Sequence, residues 1–321
     1  MIKTKFYLGI ASLALLVSTL TSCENDYENE LPSIANIAVT GSDFSTLEAA
    51  AIQGGVAVVL SNNNPNDPSG KYTVFAPNNA AFAKLGLVDA GSLGGLQNSF
   101  LTSTLLYHVS NGSLSSGAIV AGGSSASALG PNRRFISRGA DKYINGSKII
   151  ATDVQASNGT VHVIDKVMIA TGVNIVASAQ LLQTAKVFKN PELTFLVQAV
   201  VSSGLAGVLS DPANKFTVFA PTDAAFKAAG LTTLAAVAAT PPATLQAILL
   251  NHAIGDGGKF TSEQMGTTAT TAGGGTLTYS TFSNGTFTIK SNGNTTVANM
   301  VIPDIQCSNG VVHVIDKVLL P

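Results

Sequence analysis

The sequence predicts an α+β fold built twice in tandem, and three observations carry that prediction. Residues 157–167 read SNGTVHVIDKV and residues 308–318 read SNGVVHVIDKV, a single change in eleven positions between stretches that start 151 residues apart. Two other stretches recur in the same order ahead of them, YTVFAPNNAAF with FTVFAPTDAAF and LLYHV with LLNHA. In each copy, apolar residues at helical spacing come first and β-rich alternation comes later, which is the order of an α+β fold and not the strict alternation of a doubly wound sheet.

Taken in order, residues 43–60 place Phe44, Leu47, Ala51 and Val58 at roughly helical spacing and predict one helix ended by the Asn/Pro run at 62–68. Residues 72–75 predict a strand stopped by Pro77. Asn78 then caps a helix over 80–85, and Thr222 takes the same role in the second copy. Asn145-Gly146 and Asn284-Gly285 sit between alternating runs and predict hairpins. Residues 171–191 carry Ile175, Val176, Leu181 and Leu182 and predict a helix of the second module, not a floppy linker. Asn-Gly at 158–159 and 309–310 predicts a tight turn into a half-buried strand.

Composition bounds the function. With 45% hydrophobic residues, 11% charged and 31 glycines, each half can bury a core and carry many turns. Seventeen basic against eighteen acidic residues, without a basic run, leave no electrostatic footprint for nucleic acid.

Lys3 and Lys5, an apolar run over residues 6–17 and Leu20-Thr21-Ser22-Cys23 resemble a bacterial lipoprotein signal, which implies cleavage before Cys23 and lipidation of its thiol. The run is too short to span about 30 Å of hydrocarbon as a helix. Four acids within residues 24–30 predict a solvated tether, and they resemble the export signal of Bacteroidetes surface lipoproteins. The expected layout is a signal peptide at 1–22, a tether at 23–32, and domains at 33–171 and 172–321.

The three ordered motifs, seen twice, resemble the fasciclin-like (FAS1) domain. That resemblance implies a compact β-sheet wedge with several packed helices in each module, and a role in extracellular adhesion. Two departures stand out. Asn251 replaces the tyrosine of the family's central motif, and Ala81 and Ala225 replace a glutamate that would complete a capping box.

All four histidines lie in the repeated motifs: His108 and His252 centrally, His162 and His313 near each module's end. No HxH, HxxxH or CxxC spacing points to a metal, so buried rings bonded to the backbone are expected and no cofactor is. Asp165 and Asp316 follow their histidines by three residues, an odd spacing that sets the two side chains on opposite faces of a strand. No GxSxG or phosphate loop occurs, and Cys307 takes the small slot of Ala156, so no enzyme is expected. Pro303-Asp304-Ile305 looks like the family's Asp-Ile adhesion motif, with Asp153-Val154 in its place in the first module. Together with Tyr107, His108 and His252, Asp304 and Ile305 are the candidate adhesion residues. Five sequons, at Asn111, Asn145, Asn158, Asn284 and Asn294, read as turns.

These readings predict a non-enzymatic outer-membrane lipoprotein at the cell surface, held to the membrane by lipid on Cys23 and binding an extracellular protein or polysaccharide. The alternatives are a carrier of a small apolar ligand, carotenoid- or lipid-like, and a structural spacer.

Overall fold

A computed structural model describes residues 30–187, 192–264 and 266–321; the signal, Cys23 and the acidic residues through Asn29 lie outside them. The first half runs α1 (Ile34–Thr40), α2 (Ser45–Gln53), α3 (Ala57–Ser61), β1 (Tyr72–Pro77), α4 (Asn79–Ala83), α5 (Ala90–Leu93) and α6 (Asn98–Tyr107). It continues with β2 (Val109–Asn111), β3 (Ser124–Ala126), β4 (Asn132–Arg138), β5 (Asp141–Ile144), β6 (Ser147–Ala156), β7 (Gly159–Ile164) and the short β8 (Ile169–Ala170).

The second half repeats the order with α7 (Ile175–Thr184), α8 (Thr194–Ser203), α9 (Ala206–Ser210), β9 (Phe216–Pro221), α10 (Asp223–Ala228), α11 (Leu234–Ala239) and α12 (Pro242–Leu250). It closes with β10 (Ala253–Ile254), β11 (Thr268–Thr270), β12 (Thr276–Tyr279), β13 (Ile289–Ser291), β14 (Met300–Cys307) and β15 (Gly310–Ile315). The fold is α+β, as the order of periodicities predicts.

Two local expectations change. The single helix over 43–60 divides into α2 and α3, because Gly55 takes a left-handed turn at φ 70° that ends the first helix. The strand after Lys71 does not stop before Pro77 but includes it, pairing Pro77 with Ile164. The caps form as expected, with Asn78 accepting from Ala81 N and Thr222 from Ala225 N.

Each half is centred on a parallel pair. β1 runs beside β7 from Tyr72↔Gly159 to Pro77↔Ile164, and β9 beside β15 from Phe216↔Gly310 to Pro221↔Ile315. Helices cover one face of each pair and the later strands the other, so the central strands are buried on both sides and read as apolar runs. In the first half, Val74, Val161 and Leu105 face the helical core, while Phe75, Phe135 and Ile164 face the β core.

The recurring Asn-Gly turn locks this arrangement. Asn158 is 2% exposed; its carboxamide accepts from Ile34 N at 2.9 Å and donates to Leu60 O and Asn62 O, each at 2.8 Å. Asn309 makes the matching set with Ile175 N, Leu209 O and Asp211 O. One amide thus joins the start of the first helix of each half to the end of the third, satisfying main-chain groups that helix ends leave open. The glycine that follows is required by close approach: a Cβ on Gly159 or Gly310 would stand 2.1 Å from the carbonyl oxygen of Tyr72 or Phe216. The sequons at Asn145 and Asn284 occupy left-handed turn positions, φ 52° and 51°.

Asn309→Ala should lower unfolding free energy by about 2–4 kcal/mol, because it orphans one buried donor and two acceptors at once. Urea denaturation of the variant beside wild type measures this.

Candidate functional site

The four imidazoles do not converge; each is engaged singly by main chain. His108 donates from Nδ1 to Thr104 O at 2.7 Å and accepts from Met168 N at 2.9 Å, and His252 does the same with Ile248 O and Leu319 N, both at 2.8 Å. Each therefore ties the end of a helix to the chain that leaves the parallel-paired strand of its half, β7 or β15. His162 and His313 carry the opposite tautomer. Their Nε2 donates to Leu114 O and Lys259 O, and their Nδ1 accepts from Asp153 N and Asp304 N.

Those two aspartates explain the arrangement. Between Ala151 and Val154, and again between Ile302 and Ile305, two residues of one strand face a single histidine on the next. The bulge leaves an unpaired N–H in the interior, and it sets Asp153 and Asp304 at φ 59° and 67°. The imidazole nitrogen accepts that N–H. Each bulged carboxylate then accepts from a 3-10 turn, Ser116 N in the first half and Thr261 N in the second.

Asp165 and Asp316 stand apart from the histidines, accepting from Lys148 N and Asn299 N at the outset of the preceding strand's pairing. Among the described residues no group of three or more His, Cys, Asp or Glu is placed to hold a metal ion. Cys307 is buried, and burial pushes its thiol up to about 11, away from the thiolate that nucleophilic chemistry requires.

The structure places all five candidate adhesion residues in the interior. Ile305 is 0% exposed and Asp304 8%, and Tyr107, His108 and His252 are buried as well. None of the five faces solvent. For Asp304 and Ile305 the reason is that the two halves are sewn together at this point: β8 of the first half adds to β14 of the second, parallel, pairing Ile169 with Ile305. The equivalent first-half residue, Val154, has no such strand beside it among the described residues and is 36% exposed.

Around that shared strand lies a polar seam. Tyr107 Oη donates to Gln306 Oε1 and accepts from Asn145 Nδ2, while Gln306 Nε2 donates to Asn132 O at 3.0 Å. Lys166 Nζ stands 3.0 Å from Asp304 Oδ2 and also donates to Gly285 O. Arg134 pairs with Glu263 at 2.9 Å, and Arg138 lies 4.0 Å from the Phe282 ring centroid while donating to Gln264 O. Gly146 is confined here too, because an added Cβ would fall 1.8 Å from Asp304 Oδ2.

Burial would raise Asp304, but Lys166, His313 and the Thr261 donors outweigh it and hold the carboxyl below its usual range. Lys166, Gln306 and Arg134 drew no attention in the sequence. Lys166 has an identical counterpart in Lys317, and nothing in the repeat says that only the first is buried.

Arg133 is the other feature that sequence reading missed. It is 0% exposed and pairs with no acid among the described residues; its guanidinium donates to Tyr107 O and Ala126 O and lies 5.0 Å from the Phe75 ring centroid. Burial lowers it to about 10. Leu277 fills the comparable place in the second half's β core, where Asn251 stands for Tyr107 and bonds to Ser291 and Leu319 O.

Fold and seam define a tandem pair of α+β domains carried on one chain. A model of the Fasciclin domain matches residues 42–170 and 191–321, and the chain belongs to that family. Protein sll1483 of Synechocystis is 33% identical over 174 residues, covering 52% of this chain and 91% of that protein. Transforming growth factor-beta-induced protein ig-h3 of Sus scrofa is 29% identical over 254 residues, covering 78% of this chain and 35% of that protein. The cell surface glycolipoprotein MPB83 of Mycobacterium bovis is 36% identical over 101 residues, covering 31% of this chain and 44% of that protein. A solved FAS1 domain pair from fasciclin I, an insect cell adhesion molecule, aligns with 86% of this chain and 96% of its own at 18% identity and a TM-score of 0.38.

The histidines carry a pH prediction. Burial lowers His108 and His252 to about 4 from an ordinary 6.5, so the unfolded chain takes up protons that the folded one refuses. Their contribution is complete above about pH 6.5, is lost as pH falls toward 4, and amounts to about 3 kcal/mol per ring. Chemical denaturation between pH 7 and 4 should show that decline, and His252→Gln should be less stable at pH 7 with a shallower slope.

Proposed function

We propose that the chain is a non-enzymatic recognition lipoprotein of the outer membrane, displayed at the cell surface by lipid on Cys23 and binding an extracellular protein or polysaccharide. The observation that carries this reading is the Fasciclin domain present twice behind a lipoprotein-like signal. A relative described as a cell surface glycolipoprotein agrees with it. In this reading the recurring His, Asn and Asp side chains are scaffold, and partners meet the outer faces of the two domains. Two weak contacts on one tether gain by avidity without a single deep pocket. No helix among the described residues is long and apolar enough to cross a membrane.

One observation favours the apolar-carrier alternative. A hollow between α1, α2 and α3, beside Leu105, is lined by Ile37, Phe44, Leu47 and Leu60, and Val39 and Ile52 stand exposed beside it. Its volume of about 70 Å³ is far below the roughly 300 Å³ at which small-molecule sites begin, so the helices must part to admit a ligand. We rank it second for that reason.

Protease treatment of intact cells should remove the wild-type chain, and Cys23→Ala should shift it from the membrane to the soluble fraction. Binding to matrix-protein and glycan arrays should accompany display. Full protection from protease on whole cells contradicts the reading, and a coloured or lipid-laden native preparation favours the alternative.

A further inference from the structure

Beside the seam the two halves leave a cleft of about 260 Å³. The Lys166–Asp304 pair forms part of its lining. Met168 and the C-terminal end of the α4 region contribute from the first half, and Met300 with the Asn284–Thr286 turn from the second. Both lysines of the lining are already matched, Lys84 to Asp165 at 3.2 Å and Lys166 to Asp304 at 3.0 Å. The cleft is therefore close to electroneutral and offers no free charge to an ionic ligand.

What it does offer is hydrogen-bonding capacity next to aliphatic surface. Thr286 Oγ1 is buried and meets no partner among the described residues, and Asn284, on an exposed turn, lines the cleft beside it. A buried hydroxyl is costly unless something completes it. Met168, 3% exposed, and the half-buried Met300 also line the cleft and bring adaptable thioethers to it.

We propose that this cleft binds one neutral sugar residue, with its hydroxyl edge toward Thr286 and Asn284 and its C–H face against the two methionines. The volume sets the limit: just under the roughly 300 Å³ lower bound of small-molecule sites, it admits a single ring and not a chain. The inference rests on the polysaccharide-recognition reading and names where one residue of such a ligand sits.

The test uses the full chain in detergent with methyl-¹³C methionine, since two of its four methionines line the cleft. Methyl glycosides of glucose, galactose and mannose are the probes, with glucuronate as the charged comparison. At least one neutral glycoside should shift the Met168 and Met300 methyls together and saturably in the millimolar range. Thr286→Val should weaken that binding about tenfold, the worth of one hydrogen bond, while melting at or above the wild-type temperature because a partnerless hydroxyl is gone.

Absence of any shift up to about 20 mM, a shift that Thr286→Val leaves unchanged, or preference for glucuronate overturns the proposal. If the methyls stay silent while the chain still binds polysaccharide on arrays, the cleft assignment falls and the recognition reading stands. Silence in both removes both.

Discussion

A main-chain N–H shut away from water needs an acceptor, and the architecture of this chain follows from where those acceptors are placed. Each half carries a bulge beside its central parallel pair, each bulge orphans one N–H, and one imidazole nitrogen receives it. The ring's other nitrogen then reaches the loop ahead of a 3-10 turn, and the bulged aspartate holds the turn itself. A second histidine and an asparagine per half satisfy the other kind of open group, donating to carbonyls at helix ends. The near-identity of the two SNG–HVIDKV stretches is thus a requirement for satisfied backbone within the densest part of each domain, and it needs no shared ligand to explain it.

Where the halves differ, the difference marks what is built only once. Tyr107 and Arg133 in the first half give way to Asn251 and Leu277, so only the first half presents a phenol to its neighbour. That phenol meets Gln306 exactly where β8 joins β14. The counterpart edge at Val154 and Gln155 keeps its bulge and its aspartate but has no strand laid along it among the described residues. Duplication produced two equal domains, and a few unequal side chains turned them into an ordered pair.

Much of this was legible in the residues. Ser/Thr/Asn caps, Asn-Gly turns and the alternation of apolar positions act within a few residues of chain, so the element order and most helix starts could be read directly. The division of the 43–60 helix at Gly55 was missed because apolar spacing persists across the glycine and only the left-handed φ reveals the break. The burial of Asp304 and Ile305 was hidden for a different reason. Their surface is covered by a strand 136 residues upstream, Ile169 against Ile305, and no local pattern encodes such a contact. Lys166 and Lys317 illustrate the same limit, as identical neighbours give one a buried partner and the other a half-exposed position.

The account stands or falls on the state of the imidazoles. Long-range ¹⁵N–¹H correlation spectra of the histidine rings at pH 7 measure it directly, with and without added Zn²⁺. Four neutral rings, with the proton on Nδ1 in His108 and His252 and on Nε2 in His162 and His313, unchanged by the metal, are what the backbone-holding role predicts. An imidazolium at neutral pH, or a common response of two or more rings to zinc, would contradict it and place a chemical centre where the structure puts scaffold.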